Sequence, residues 1–186
     1  MWGPRSTTCT IETTLRAHSA HRVGGARWSD SVLIKYDTSK TSGKFGKIAM
    51  PYASSGETTV PNDYCDITLS PYFYTINNNP YDPYVSAVSV GQTLSKIGWR
   101  TGHTYGQVVS VCDNFYFSDR NVVLYCQNYV HAYADEGDSG GPVFIPTVNS
   151  TAQAIGILWG GDSSIHEFGF SLLWYVRGEL GDFAVR

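Results

Sequence analysis

An all-β fold is predicted for this chain of 186 residues, and three observations carry the prediction. Hydrophobic residues make up 42% of the chain and charged residues 16%, with 19 Gly, 8 Pro and 13 Tyr, the profile of a turn-rich β protein. Apolar residues recur in short runs with period-2 alternation, each closed by Gly, Asn, Asp or Pro. Only one segment, SLLWYVRGEL at 171–180, spaces its apolar residues as a helix does. The length suffices for one substantial domain or two small barrels packed together.

In chain order, residues 1–25 are polar, lack alternation and predict no ordered element. The first strand is SVLIKYD at 31–37, followed by a turn at TSKTSGK and a second strand, FGKIAM, as a hairpin. DITLS and YFYTI at 66–76 follow, and then NNNPYDPYV, whose Asn and Pro density marks a connection between two halves. From about residue 88 a meander of short strands is expected: TLSKIGW, QVVSVC, NVVLYCQNYV, GGPVFIP and AIGILWG. The last element is a helix over 171–180, with Ser171 as its cap and Leu172, Leu173, Val176 and Leu180 on its apolar face. The divisions expected are an irregular segment over 1–25, a partial first half over 26–85 and a second half over 86–186.

A net charge of −3 without any cluster of Lys and Arg interleaved with aromatics argues against a nucleic-acid partner. No apolar run has membrane-spanning length, and MWGPRSTTCT lacks the apolar core of a secretory signal. Four cysteines are present, Cys9, Cys65, Cys112 and Cys126, with no CxxC pair and no His at metal-ligand spacing, so neither metal nor cofactor is expected. Cys112 and Cys126 end two β-rich runs joined by DNFYFSDR, so a hairpin brings them into register for a disulfide, which favours an oxidising compartment.

The stretch DEGDSGGPVF at 135–144 is the chemically informative one. An acyl-transfer serine needs an exposed hydroxyl, backbone N–H groups aimed at a developing oxyanion, and a base within hydrogen-bond reach. Gly137-Asp138-Ser139-Gly140-Gly141 supplies the first two: Gly137 can turn its N–H beside that of Ser139, and the two following glycines leave room for substrate. A plain Asp-Ser-Gly turn uses the same residue types, but GDSGGP is far more specific.

GDSGGPVF resembles the nucleophile loop of the trypsin/chymotrypsin superfamily of serine endopeptidases. VGQTLSKIGWRTGHTYGQV at 90–108 resembles the start of the second barrel in bacterial, streptogrisin-like members, with Ser95 and Tyr105 where several of them bridge two cysteines. Tyr133 likewise replaces a Cys common six places before the nucleophile. VLYCQNYVHAYADEGDSGGPVF is similar to trypsin-like peptidases of bacteria and fungi. AIGILWGG at 154–161 resembles the strand that binds substrate backbone, with Leu158-Trp159-Gly160 in place of Ser-Trp-Gly. The resemblance covers roughly 26–186 and implies two antiparallel six-stranded β-barrels, the first incomplete, with a C-terminal helix.

For the acid, the resemblance offers Asp66, which opens DITL, and Asp30, which opens DSVLIKY after a Trp-Ser pair and before a G-x-I-A segment; the wider context favours Asp30, and Asp63 is third. The base is harder, because the family's His-Cys motif is missing. Of His18, His21, His103, His131 and His166, His18 in RAHSAH fits best locally. It lies too close to Asp30 for the strands that the family places between base and acid, so the pairs are His18 with Asp66, or Asp30 with no triad His in the chain. HRVGG at 21–25 has the form of a zymogen cleavage site, but no His-Cys follows it, and it reads as coincidence. His103 and His131 are expected at the surface or in turns, and His166 in a loop near the specificity pocket.

The resemblance thus implies a secreted, monomeric serine endopeptidase acting on polypeptides through Ser139, with Gly137 and Ser139 as oxyanion donors. Its first barrel and export signal are expected to be truncated. Tyr133, Phe168 and Phe170 imply a pocket without a buried acid, and hence an apolar or small side chain rather than Lys or Arg. The alternative is a non-catalytic binding module that keeps the groove around Leu158–Gly160 and lacks the base.

Overall fold

The computed structural model describes residues 16–18, 25–31, 33–35, 46–51, 69–77 and 87–180. Asp63, Asp66, His21, Cys9 and Cys65 lie outside these residues. The chain order is β1 (Arg16–His18), β2 (Gly25–Arg27), β3 (Leu33–Lys35), β4 (Lys47–Pro51), β5 (Leu69–Ile76), β6 (Thr93–Gly98), β7 (Gly102–Phe117), β8 (Val122–His131), β9 (Pro142–Pro146), β10 (Thr151–Asp162), β11 (Glu167–Leu172) and α1 (Leu173–Leu180).

Strands β6 to β11 close on themselves. Following the pairings gives β6-β7-β8-β11-β10-β9 and back to β6, every pair antiparallel, which makes a six-stranded barrel with no open edge in the ring. Alternation along the strands turns Leu94, Val108, Val130, Val143, Ile155, Leu158, Phe168 and Phe170 into the interior, where all are at most 1% exposed. Burying each such side chain contributes about 1.5–3 kcal/mol, which makes this interior the main stabilising element of the described structure. Ser95 and Tyr105 are direct register partners on β6 and β7, the geometry that a cross-strand bridge at those positions would need.

The first half is sparser. β4 and β5 form an antiparallel hairpin, and β5 joins the end of β10 in parallel. Ile48, Phe144 and Ala152 fill the seam between hairpin and barrel, with Tyr74 against Phe144 at 5.4 Å. β1 pairs antiparallel with β3, and β2 runs parallel to β8. The strand at Arg16–His18 departs from the expectation that residues 1–25 hold no ordered element. A three-residue strand owes its existence to its partner, which local patterning cannot reveal.

The Cys112–Cys126 disulfide is present across the β7–β8 arms. The hairpin differs from expectation in its turn: β7 continues through Phe117 instead of leaving all of DNFYFSDR as the connection. Three register shifts between Val108 and Phe115 absorb the polar Asp113 and Asn114, and the chain reverses at 118–121. Ser171 is also not a helix cap; it lies in β11 and donates its hydroxyl to Gln127 Oε1 at 2.8 Å, so the helix begins two residues later.

His103 is not a surface or turn residue. It sits inside β7, 9% exposed, with its ring stacked on Phe144 at 6.0 Å and its Nε2 without a hydrogen-bond partner. Burial, and secondarily the Lys96 charge, hold its pKa below the ordinary 6.5. The folded state therefore favours neutral His103, and that contribution is complete above the unfolded value and lost as pH falls through the lower folded one. Denaturant titrations between about pH 7.5 and about pH 5 are expected to show wild-type stability falling with pH, and a flatter dependence in His103→Phe.

Candidate active site

The loop carrying Ser139 is held by backbone bonds at both ends. Asp138 N–H donates to Asp135 O at 3.0 Å and Gly141 N–H to Asp138 O at 2.9 Å. Gly140 N–H donates to Leu158 O at 2.7 Å, and Leu158 N–H to Gly141 O at 3.0 Å, which fastens the loop to β10. Gly137 has φ +105°, a region that a side chain makes costly. The consequence is selective: N–H groups 138, 140 and 141 are all donated, whereas among the described residues those of Gly137 and Ser139 have no acceptor. Ser139 is exposed, and its hydroxyl donates to Trp159 O at 3.2 Å.

Beneath the loop, Asp138 is 1% exposed and saturated with donors. Its Oδ2 accepts from Lys96 Nζ at 2.5 Å, Thr101 Oγ1 at 2.5 Å and Asp135 N at 3.2 Å; its Oδ1 accepts from Arg100 N at 2.8 Å and Thr101 N at 3.0 Å. Lys96 is itself fully buried and also donates to Thr101 Oγ1. Burial opposes charge on Asp138, but the Lys96 ammonium and the Thr101 hydroxyl and N–H outweigh it, so the carboxyl titrates below its ordinary range. Burial lowers the Lys96 pKa, against which the Asp138 charge acts to keep it protonated. The pair is an ionised brace that fixes the backbone on both sides of Asp138.

Lys96 was not singled out by sequence, although a signal exists. It falls two residues after Leu94 and two before Gly98, so strict alternation places it on the buried face. Gly98 is part of the same device: a Cβ there would stand 2.2 Å from Asp138 Oδ1. Gly98→Ala is accordingly expected to destabilise the fold by several kcal/mol, read by chemical denaturation, because the atom displaced belongs to a buried ionised carboxylate.

The other expected site residues divide into two groups. Trp159 lies over the hairpin aromatics, 4.9 Å from Phe115 and 5.6 Å from Phe117, and nothing stands within 4 Å of a Cβ position at Gly160, which leaves the surface over that residue clear. Tyr133 meets the His166 ring edge-on at 5.3 Å, and burial together with Asp135 raises its hydroxyl pKa. In contrast, the side chains of Leu158, Phe168 and Phe170 fill the barrel core and are no more than 1% exposed. They do not line a solvent-accessible pocket, because at alternate positions of a closed barrel they point inward; Leu158 serves the site through its backbone alone. His131 is exposed at the end of β8.

Asp30 is half-buried, and its N–H donates to Ser171 Oγ at 3.3 Å. Ser171 is the register partner of Ile157, two residues before the carbonyl that accepts from Ser139. The Asp30 segment and the Ser139 loop thus lean on the same β10–β11 pair. His18 stands opposite Leu33 in the β1–β3 register, so β1 packs directly beside the strand that Asp30 precedes. One short strand, β2, lies between His18 and Asp30 in the chain.

Among the described residues no group of three His, Cys, Asp or Glu side chains is placed to hold a metal ion. No protein-family model and no curated protein sequence matches the chain. Solved structures do match. A glutamic-acid-specific serine protease that uses a histidine triad in substrate binding aligns over 82% of this chain and 66% of its own, with 19% identity and a TM-score of 0.53. Cellulomonas bogoriensis chymotrypsin aligns over 63% and 59%, at 17% identity and TM-score 0.47, and Thermobifida fusca protease A over 66% and 58%, at 19% and 0.44. The chain spans less than two thirds of the length of these structures. With the closed barrel and its C-terminal helix, the first of these matches establishes the chymotrypsin-like all-β fold.

Proposed function

We propose that the chain is a serine endopeptidase in which Ser139 attacks a peptide carbonyl, the N–H groups of Gly137 and Ser139 hold the oxyanion, and Asp30 orients a general-base imidazole. The observation that carries this reading is the pair of undonated N–H groups at 137 and 139, flanking a braced Asp138 and presented beside an exposed hydroxyl. The hydroxyl oxygen would form the bond to carbon as the imidazole takes its proton; the imidazolium then protonates the departing amine, and water repeats the sequence on the acyl-enzyme. Support for Asp30 comes from its segment, which leans on the same β10–β11 pair as the nucleophile loop. A polypeptide substrate would lie over the clear surface at Gly160 of β10, with Tyr133 and His166 toward its side chain. The Cys112–Cys126 disulfide favours secretion.

One observation favours the non-catalytic module: Ser139 gives its proton to the Trp159 carbonyl. Incubating the purified chain with a mixture of unstructured peptides and following it by mass spectrometry separates the two. New termini that are absent with Ser139→Ala support the endopeptidase; retention of peptide without cleavage supports the module.

A further inference from the structure

The segment that leads into Asp30 is tied to the C-terminal helix by one side chain. Glu179 Oε1 accepts from Trp28 N at 2.6 Å, and its Oε2 accepts from Ser29 N at 3.1 Å and Ser29 Oγ at 2.5 Å. One carboxylate thus takes three donors from the two residues before Asp30. Four residues earlier on the helix, and therefore on the same face, Tyr175 stacks on the Trp28 ring at 5.1 Å.

A second set of bonds holds the segment from the barrel side. Gln127 Nε2 donates to Trp28 O at 3.0 Å, and Gln127 Oε1 accepts from Ser171 Oγ. With its proton committed to Gln127, Ser171 Oγ is left as acceptor for Asp30 N–H. Gln127 and Ser171 are both fully buried.

Glu179 gains nothing from its own helix. A carboxylate in the last turn of α1 sits at the negative end of the helix dipole, where a cation is favoured, so local helix stability does not account for it. Its bonds to charge-free N–H and O–H donors do. We propose that Glu179 is a positioning residue: its carboxylate fixes the backbone of Trp28 and Ser29 and thereby the direction in which Asp30 presents its carboxyl group. This rests on the reading of Asp30 as the orienting acid, and it makes the C-terminal helix part of the catalytic support.

The test compares wild type with Glu179→Ala and Glu179→Gln, each first shown to be folded by circular dichroism. Glu179→Ala is expected to lower kcat on a peptide substrate about tenfold or more with KM nearly unchanged, and Glu179→Gln, which keeps one acceptor oxygen, to restore part of the rate. Amide hydrogen exchange at Trp28, Ser29 and Asp30 is expected to quicken in Glu179→Ala while that of the barrel strands stays as it was. A folded Glu179→Ala with wild-type kcat overturns the proposal, as does unchanged exchange at Asp30. A wild type without turnover would count against the reading of Ser139 instead, and the exchange at Asp30 would then decide the role of Glu179 alone.

Discussion

Replacing Lys96 by Met is expected to lower the unfolding free energy by about 3–5 kcal/mol, the usual cost of leaving one member of a buried ion pair unpaired. Met nearly preserves the volume, so the loss reports the ammonium, its charge together with its hydrogen bonds to Asp138, Thr101 and Gly102, and not a cavity. Asp138 would remain buried with only neutral donors from Thr101, Arg100 and Asp135. Removing the carboxylate as well is not expected to restore stability, because three backbone N–H groups would lose their acceptor. The same pair sets an acid limit. Asp138 titrates below its ordinary 3.8 in the folded state, so its contribution is complete above that value and is lost as pH falls through the lower folded one. Urea denaturation of wild type and Lys96→Met at neutral pH measures the first effect; a difference under about 1 kcal/mol would mean that the pair does not brace the loop.

Ser139→Ala is expected to lower kcat for peptide hydrolysis by about a millionfold, because no other group on the loop can form the acyl-enzyme. The informative companion is Asp30→Asn. If Asp30 orients the base that serves Ser139, the two act as one unit, and the double variant is no slower than Ser139→Ala alone. If Asp30 only ties its segment to the Ser171 hydroxyl through its backbone N–H, a bond that Asn keeps, its substitution slows the reaction little and leaves stability nearly unchanged. Steady-state kinetics on one peptide with all three variants resolves these outcomes.

Much of the second half was legible because its strands largely follow period 2 between their register shifts, and Leu94, Val108, Val130 and Val143 all fall on the faces that alternation predicts. The nucleophile loop was legible because its chemistry needs glycines at fixed places. Side chains whose role depends on a partner distant in sequence were not. Lys96 falls on the buried face by alternation, yet only Asp138, a strand pair away, supplies the charge that permits its burial. Ser171 reads as a helix cap until Gln127 and Asp30 claim its hydroxyl. Phe168 and Phe170 read as pocket walls by family position, yet barrel closure turns them inward. His103 is the clearest case: nothing in GHTYG marks it as buried, and it is the packing against Phe144 and Tyr105 that encloses it.

The central claim, that this loop activates Ser139, is tested most directly by treating the folded chain with a fluorophosphonate and reading its intact mass. A single adduct is expected on the wild type and none on Ser139→Ala. A folded wild type that stays unlabelled, or a Ser139→Ala chain that labels equally well, would contradict it.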